Sequence, residues 1–156
     1  MPTLTLPTES ATLSLGRALA DQATAGDVIT LAGPLGAGKT VLARGFLEHR
    51  LGTGTEVTSP TYTLVHVYDA ADPPLWHFDL YRLEDAGEIQ ELGLDEALAG
   101  GISLIEWPDR AQGWLPEDRL TIEITVDGTS DARRATLLGS GAWDKRLDAV
   151  MKAAAP

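Results

Sequence analysis

The stretch LAGPLGAGKTVLARGF, residues 31–46, constrains this chain more than any other. Within it Gly33, Pro34, Leu35, Gly36, Ala37, Gly38, Lys39 and Thr40 match G-x-x-x-x-G-K-[ST] in full. Small residues let the backbone curl until successive N–H groups point at phosphate oxygens. An apolar run at 28–32 precedes the loop and a helical pattern over 40–51 follows it. That order leads a buried strand into the loop and the loop into a helix N-terminus, whose positive end favours an anion. Lys39 is placed to bridge β- and γ-phosphates, and the Thr40 hydroxyl to hold Mg2+. Val41, which follows directly, is counted with the nucleotide-binding set. A glycine-rich turn that binds nothing is a far weaker reading of this match in this context.

The rest of the chain supplies the scaffold. Residues 3–6 alternate as a short strand, and 10–23 carry leucines and alanines near helical spacing, with Thr8 or Ser10 as N-cap. Residues 62–69 and 75–81 read as two strands of a hairpin broken at Asp72-Pro73-Pro74. A helical stretch over 84–99 is interrupted near Gly93, and 102–107 is a further buried strand. Residues 120–126 and 133–138 pair across an Asp127-Gly128 turn, and 142–153 close the chain as a helix. Interleaved strands and helices predict an α/β fold of three layers, P-loop NTPase-like, with a mixed, mainly parallel sheet and antiparallel hairpins. At 156 residues, the chain is expected to be a single domain over 1–156.

A P-loop site needs a carboxylate from a neighbouring strand. Three acids end or interrupt apolar strands: Asp69, Asp79 and Glu106. Asp69 precedes AADPP and reads as a turn carboxylate. Asp79 (WHFDL) and Glu106 (SLIEW) sit inside apolar runs, where an ionised carboxylate is costly unless paired or facing a polar site. His77, Asp79 and Tyr81 share one face by the period of two. Arg82 could instead make the Asp79 segment a structural ion pair. Spacing alone leaves open which acid holds metal and which orients water. The Thr58–Thr63 segment, TSPTYT, follows the P-loop helix, where hydroxyls and free N–H groups could sense a γ-phosphate. Its plainer reading is a Pro-fixed loop entering a strand.

Charge and missing motifs narrow the class. The formal charge is −11, with 12 Lys and Arg scattered along the chain, which argues against gripping a nucleic-acid backbone unaided. No cysteine is present, so thiolate chemistry and cysteine zinc sites are excluded. No apolar run reaches membrane-spanning length, and the first ten residues lack the pattern of a leader, so a cytoplasmic protein without membrane association is expected. The sequence has no Asn and no D-x-x-G, which disfavours a GTPase. A small-molecule kinase would add an Arg-bearing lid, and here Arg82, Arg110 and Arg119 are dispersed. A small ATPase that drives a partner remains.

GPLGAGKT at 33–40, SPTYTLV at 59–65, HFDLYRL at 77–83, IEWPDR at 105–110 and LPEDRL at 115–120 occur in this order. In these motifs the chain resembles the TsaE (YjeE) family, bacterial P-loop ATPases of tRNA threonylcarbamoyladenosine biosynthesis, from about residue 9 to 133. The resemblance implies ATP and Mg2+ as cofactors and TsaB and TsaD as partners. These transfer the threonylcarbamoyl group to the adenosine beside the anticodon, so tRNA is met only through them. It implies that ATP hydrolysis resets the TsaB–TsaD complex, slowly in the isolated protein and faster with partners. By position it implies Thr40 and Glu106 as Mg2+ ligands, Asp79 as the catalytic or water-positioning carboxylate beside Lys39, and Trp107 as a neighbour of the nucleotide. Ser59, Thr61 and Tyr62 fall in the switch-like loop. Glu9 or Thr12 would approach the base, and Arg133 would contact the nucleotide. A nucleotide-gated binding module without obligatory turnover is the alternative from another class, and a small-molecule kinase is the third reading.

Overall fold

The computed structural model describes residues 2–52, 54–128 and 131–155. Thr129 and Ser130 of the C-terminal hairpin lie outside the described residues. The elements run β1 (Thr3–Leu6), α1 (Glu9–Gln22), β2 (Val28–Ala32), α2 (Lys39–Leu51), β3 (Val65–Tyr68), β4 (Leu75–Asp79), α3 (Leu94–Gly100), β5 (Ile102–Glu106), β6 (Leu120–Val126), β7 (Arg133–Gly139) and α4 (Trp143–Ala154). Short 3-10 helices at Ala86–Gln90 and Pro108–Ala111 precede α3 and follow β5.

The strands form one mixed sheet in the order β1-β7-β6-β2-β5-β4-β3. Its centre is parallel, β6 on β2, β2 on β5 and β5 on β4, and its edges are antiparallel, β1 on β7, β7 on β6 and β3 on β4. Alternation divides the side chains between two layers. Ile29, Leu31, Leu75, Ile102 and Leu104 face a core with Leu15, Leu19, Leu42 and Phe46 of α1 and α2, and Leu147 and Val150 of α4. Val28, Trp76, Phe78 and Ile105 face a second core with Ile89, Leu94 and Ala97. The three-layer α/β arrangement expected from the interleaved pattern is therefore present.

Two local features set the position of the glycine loop. Thr8 caps α1, its Oγ1 accepting from the Ala11 N–H at 3.2 Å. Helices α1 and α2 then cross at Gly16 and Gly45, where backbone meets backbone. A Cβ on Gly16 would overlap the Leu42 carbonyl oxygen and stand 2.7 Å from the Phe46 nitrogen. Arg146 of α4 joins both Asp27 oxygens at 2.7 and 3.0 Å and the Gln22 carbonyl at 2.7 Å, which fastens α4 to the turn before β2.

The strand expected over 62–69 starts only at Val65. Pro60 and the hydroxyl-bearing residues after it form a turn instead, closed by the Leu64 N–H on the Pro60 carbonyl at 2.7 Å, with Leu64 at φ 70°. Strand β4 likewise ends at Asp79, so Tyr81 lies beyond it.

Candidate functional site

The central parallel strands β2, β5 and β4 all point the same way, so their carboxyl ends share one edge. In open α/β sheets this edge is where ligands bind. Strand β2 delivers the glycine loop there, β4 delivers Asp79 and β5 delivers Glu106, with Asp79 and Glu106 opposite each other in register. Both acids alternate onto the face that carries α2. The ambiguity between a buried ion pair with Arg82 and a polar site is thereby resolved: Arg82 lies 4.6 Å over the Tyr62 ring.

Gly33 opens the loop at φ 146°, and a Cβ there would overlap the Ile124 carbonyl oxygen of β6. Only glycine permits so close an approach. Lys39 is 5 % exposed. Its Nζ donates to the Gly33 and Pro34 carbonyls at 2.6 and 2.8 Å and stands 4.0 Å from the Trp107 ring centroid. Burial holds its ammonium below the ordinary value near 10.5, and the nearby carboxylates of Glu106, Asp79 and Asp109 oppose that shift. Trp107 has a left-handed backbone, φ 60°, rare for so bulky a residue. Its ring leans on Tyr81 at 4.9 Å between centroids.

Thr40 donates its hydroxyl to Glu106 Oε1 at 2.9 Å. Glu106 Oε2 lies 2.6 Å from His77 Nε2, with both side chains buried. Asp79 Oδ1 accepts from the Tyr81 N–H at 3.1 Å, and its Oδ2 faces the Ser59 and Thr61 hydroxyls at 3.5 Å each. The turn that shortens β3 is thus what brings the SPTYT hydroxyls to the acid.

Two clefts meet at the loop. One, of about 290 Å³, is lined by 35–41 with Ser59, Thr61, Asp79, Tyr81, Glu106 and Trp107. The other, of about 430 Å³, lies across Gly36, Ala37, Gly38 and Val41 and is lined by Pro7, Thr8, Glu9, Thr12, Asp131 and Arg133. Together they fall in the size range of small-molecule sites. The first has the loop's N–H groups and lysine for phosphates, and the second has room for a nucleoside. Arg133 donates from Nε to the Ala37 carbonyl at 3.2 Å and from Nη2 to the Gly36 carbonyl at 3.4 Å, so it also braces the loop. Glu9 at the rim pairs with Arg44 at 3.0 Å. Buried Thr12 lies under Gly38, its Cγ2 3.7 Å from where a Cβ would stand.

The structure therefore gathers Glu9, Thr12, Ser59, Thr61, Asp79, Glu106, Trp107 and Arg133 around the loop, whereas Asp69 and Arg119 line other clefts and Tyr62 is exposed beneath Arg82, outside the site. Mg2+ suits hard oxygen donors and is held by one or two protein groups plus phosphates. The Thr40 hydroxyl and the Glu106 carboxylate fit that requirement, and among the described residues no cluster of three or more His, Cys, Asp or Glu forms an all-protein cage. His77 and Tyr81 received no role from the sequence. The signal was present for His77, a polar side chain in the apolar run LWHFD. Among the described residues no helix is long and apolar enough to cross a membrane.

Known proteins resemble this chain in sequence and in fold. The family model described as "Threonylcarbamoyl adenosine biosynthesis protein TsaE" matches residues 6–135. The tRNA threonylcarbamoyladenosine biosynthesis protein TsaE of Bacillus subtilis is 43% identical over 131 residues, 83% of this chain and 80% of the relative. Its namesake in Haemophilus influenzae is 42% identical over 121 residues, 77% of this chain and 75% of the relative. That of Streptomyces coelicolor is 42% identical over 133 residues, 81% and 89%. The crystal structure of Bacillus subtilis YdiB superposes with a TM-score of 0.81 at 30% identity, covering 97% of this chain and 94% of that one.

Proposed function

The chain belongs to the TsaE family of threonylcarbamoyl adenosine biosynthesis proteins, and from that premise we propose that it is a cytoplasmic, Mg2+-dependent ATP hydrolase that drives or resets a TsaB–TsaD complex during tRNA modification. The observation that carries the reading is the convergence of Lys39, Thr40, Asp79 and Glu106 on one cleft at the carboxyl edge of the sheet.

ATP lies along the loop, with its phosphates on the N–H groups of 36–40 and its nucleoside in the cleft of Glu9, Thr12 and Arg133. Lys39 leaves the Gly33 and Pro34 carbonyls and turns to the β- and γ-phosphates. Thr40 and Glu106 would hold Mg2+, which when bound neutralises charge on the phosphate oxygens. Asp79 accepts a hydrogen bond from the attacking water and orients it toward the γ-phosphorus, while Ser59 and Thr61 hold the carboxylate in place. The Trp107 and Tyr81 rings wall the cleft and limit access of bulk water.

No guanidinium lies within ion-pairing distance of Asp79 or Glu106 among the described residues. Charge stabilisation of the departing phosphoryl group is therefore incomplete in the isolated chain, and turnover is slow until a partner docks. The net charge of −11 directs tRNA contact to the partners. Phosphate release is to be measured with and without TsaB and TsaD. Stimulation is expected, and an unchanged rate would refute the coupling. Phosphate appearing on an acceptor instead of in water would refute hydrolysis itself.

A further inference from the structure

His77 is a buried polar group with no part in the chemistry above. Its side chain is fully buried in β4, and Nε2 lies 2.6 Å from Glu106 Oε2. Nδ1 has no hydrogen-bond partner. An N–H at Nδ1 would be an orphaned buried donor, and a bare Nε2 would face a carboxylate oxygen, acceptor against acceptor. The hydrogen therefore resides on Nε2 and is donated to Glu106. The two oxygens of this carboxylate then have different tasks, Oε2 fixed by His77 and Oε1 turned to the Thr40 hydroxyl.

We propose that His77 is a positioning residue for Glu106: its Nε2–H locks the carboxylate rotamer so that Oε1 is aimed at the Thr40 hydroxyl, where the two oxygens meet a nucleotide-bound divalent cation. This rests on the metal reading of the Thr40–Glu106 pair. The physical case is that a glutamate side chain has three torsions, and a cation site demands one orientation of its carboxylate. Without a donor at Oε2, the acid is free to rotate inside a pocket whose other polar neighbours, Lys39 and Thr40, belong to the nucleotide. Hydrogen-bonding partners behind metal ligands typically change metal affinity by about 10- to 100-fold.

The test measures binding, not turnover. Affinity for ADP is determined with and without Mg2+ for the wild type, His77→Phe, His77→Gln and Glu106→Gln. Phe fills the ring volume without a donor, and Gln returns an N–H near the Nε2 position. His77→Phe is expected to keep the Mg2+-free affinity and to lose roughly tenfold or more of the Mg2+-dependent gain, and His77→Gln to restore most of it. A His77→Phe protein that responds to Mg2+ like the wild type, while Glu106→Gln does not respond, overturns the positioning role alone. A wild type indifferent to Mg2+ overturns the metal reading and the proposal with it.

A second measurement needs no variant. His77 is the one buried histidine of three, so its ring 15N and Nε2–H resonances are separable. They are expected to report the Nε2–H tautomer and to shift when Mg2+ is added to the ADP complex. Resonances of the other tautomer, or ones that stay unmoved by Mg2+, overturn the proposal.

Discussion

Replacing Lys39 by Met removes the one ammonium inside the phosphate cleft while keeping most of the stem volume. In the ligand-free protein this ammonium already has two short bonds, to the Gly33 and Pro34 carbonyls at 2.6 and 2.8 Å, and the Trp107 face at 4.0 Å. Binding a triphosphate exchanges carbonyl partners for phosphate partners, so only the difference counts. A hydrogen bond with one charged partner, ammonium to carbonyl, contributes about 1.5 kcal/mol, and one with both partners charged, ammonium to phosphate, about 2–3 kcal/mol. The exchange of two bonds then leaves roughly 1–3 kcal/mol, a loss of about 5- to 150-fold in affinity for ATP and ADP. AMP does not extend to the lysine, so its affinity is expected to hold. Displacement of a fluorescent nucleotide by AMP, ADP and ATP reads all three. An equal loss for AMP would mean that the loop had collapsed, and no loss for ATP would refute the assignment of Lys39 to the phosphates.

The same lysine gives a pH dependence. Burial lowers its pKa from about 10.5, so the unfolded chain binds more protons than the folded one between the lowered value and 10.5. Stability of the free protein therefore rises with pH across that window, while phosphates restore the charged form, so ATP binding takes up a proton there and weakens as pH rises. Calorimetry in buffers of different ionisation enthalpy would detect the uptake, and its absence contradicts the buried-ammonium account. For Arg133→Ala, which unfastens the Gly36 and Ala37 carbonyls, a few-fold loss shared by AMP, ADP and ATP is expected, in contrast to Lys39. A loss confined to ATP would show that Arg133 acts on phosphate instead of bracing the loop. Gly16→Ala drives a methyl group into the backbone of α2, which cannot rotate away, and is expected to cost about 1–3 kcal/mol, or roughly 2–12 °C in Tm. An unchanged melting curve would contradict the close crossing of α1 and α2. Thr8→Ala removes the cap of α1 and should cost about 1 kcal/mol in a denaturant titration, a midpoint shift that its absence would refute.

What was legible in the sequence was whatever the chain encodes locally or by an energetic contradiction. The loop 33–40 is contiguous, so its identity and its place between strand and helix could be read directly. Asp79 and Glu106 stood out because a carboxylate inside an apolar run needs a reason to be there, and the register of β4 on β5 supplies it. His77 obeys the same logic but passes as a core histidine until its partner is known. The strand at 62–69 was overextended because Tyr62 and Thr63 favour strands, whereas the turn closed on Pro60 is a tertiary outcome that presents hydroxyls to Asp79. Glu9, Thr12 and Arg133 meet across more than a hundred residues, through the pairing of β1 with β7 and the crossing of α1 over α2. No local pattern records that meeting, and it came from the resemblance alone.

Turnover, not occupancy alone, is the role proposed for this chain, and Asp79→Ala separates the two. The decisive measurement is multiple-turnover formation of threonylcarbamoyladenosine on tRNA by TsaB and TsaD, supplied with either the wild-type chain or Asp79→Ala, at saturating ATP and Mg2+. Asp79 touches neither the loop's N–H groups nor Lys39 Nζ, so nucleotide affinity should stay within a few-fold of wild type. Hydrolysis is expected to fall by about 100-fold or more, as for loss of a group that positions the attacking water. Modification should then stop after the first turnover. Sustained modification by a variant that binds ATP but does not cleave it would contradict the claim and leave a nucleotide-gated binding module in its place.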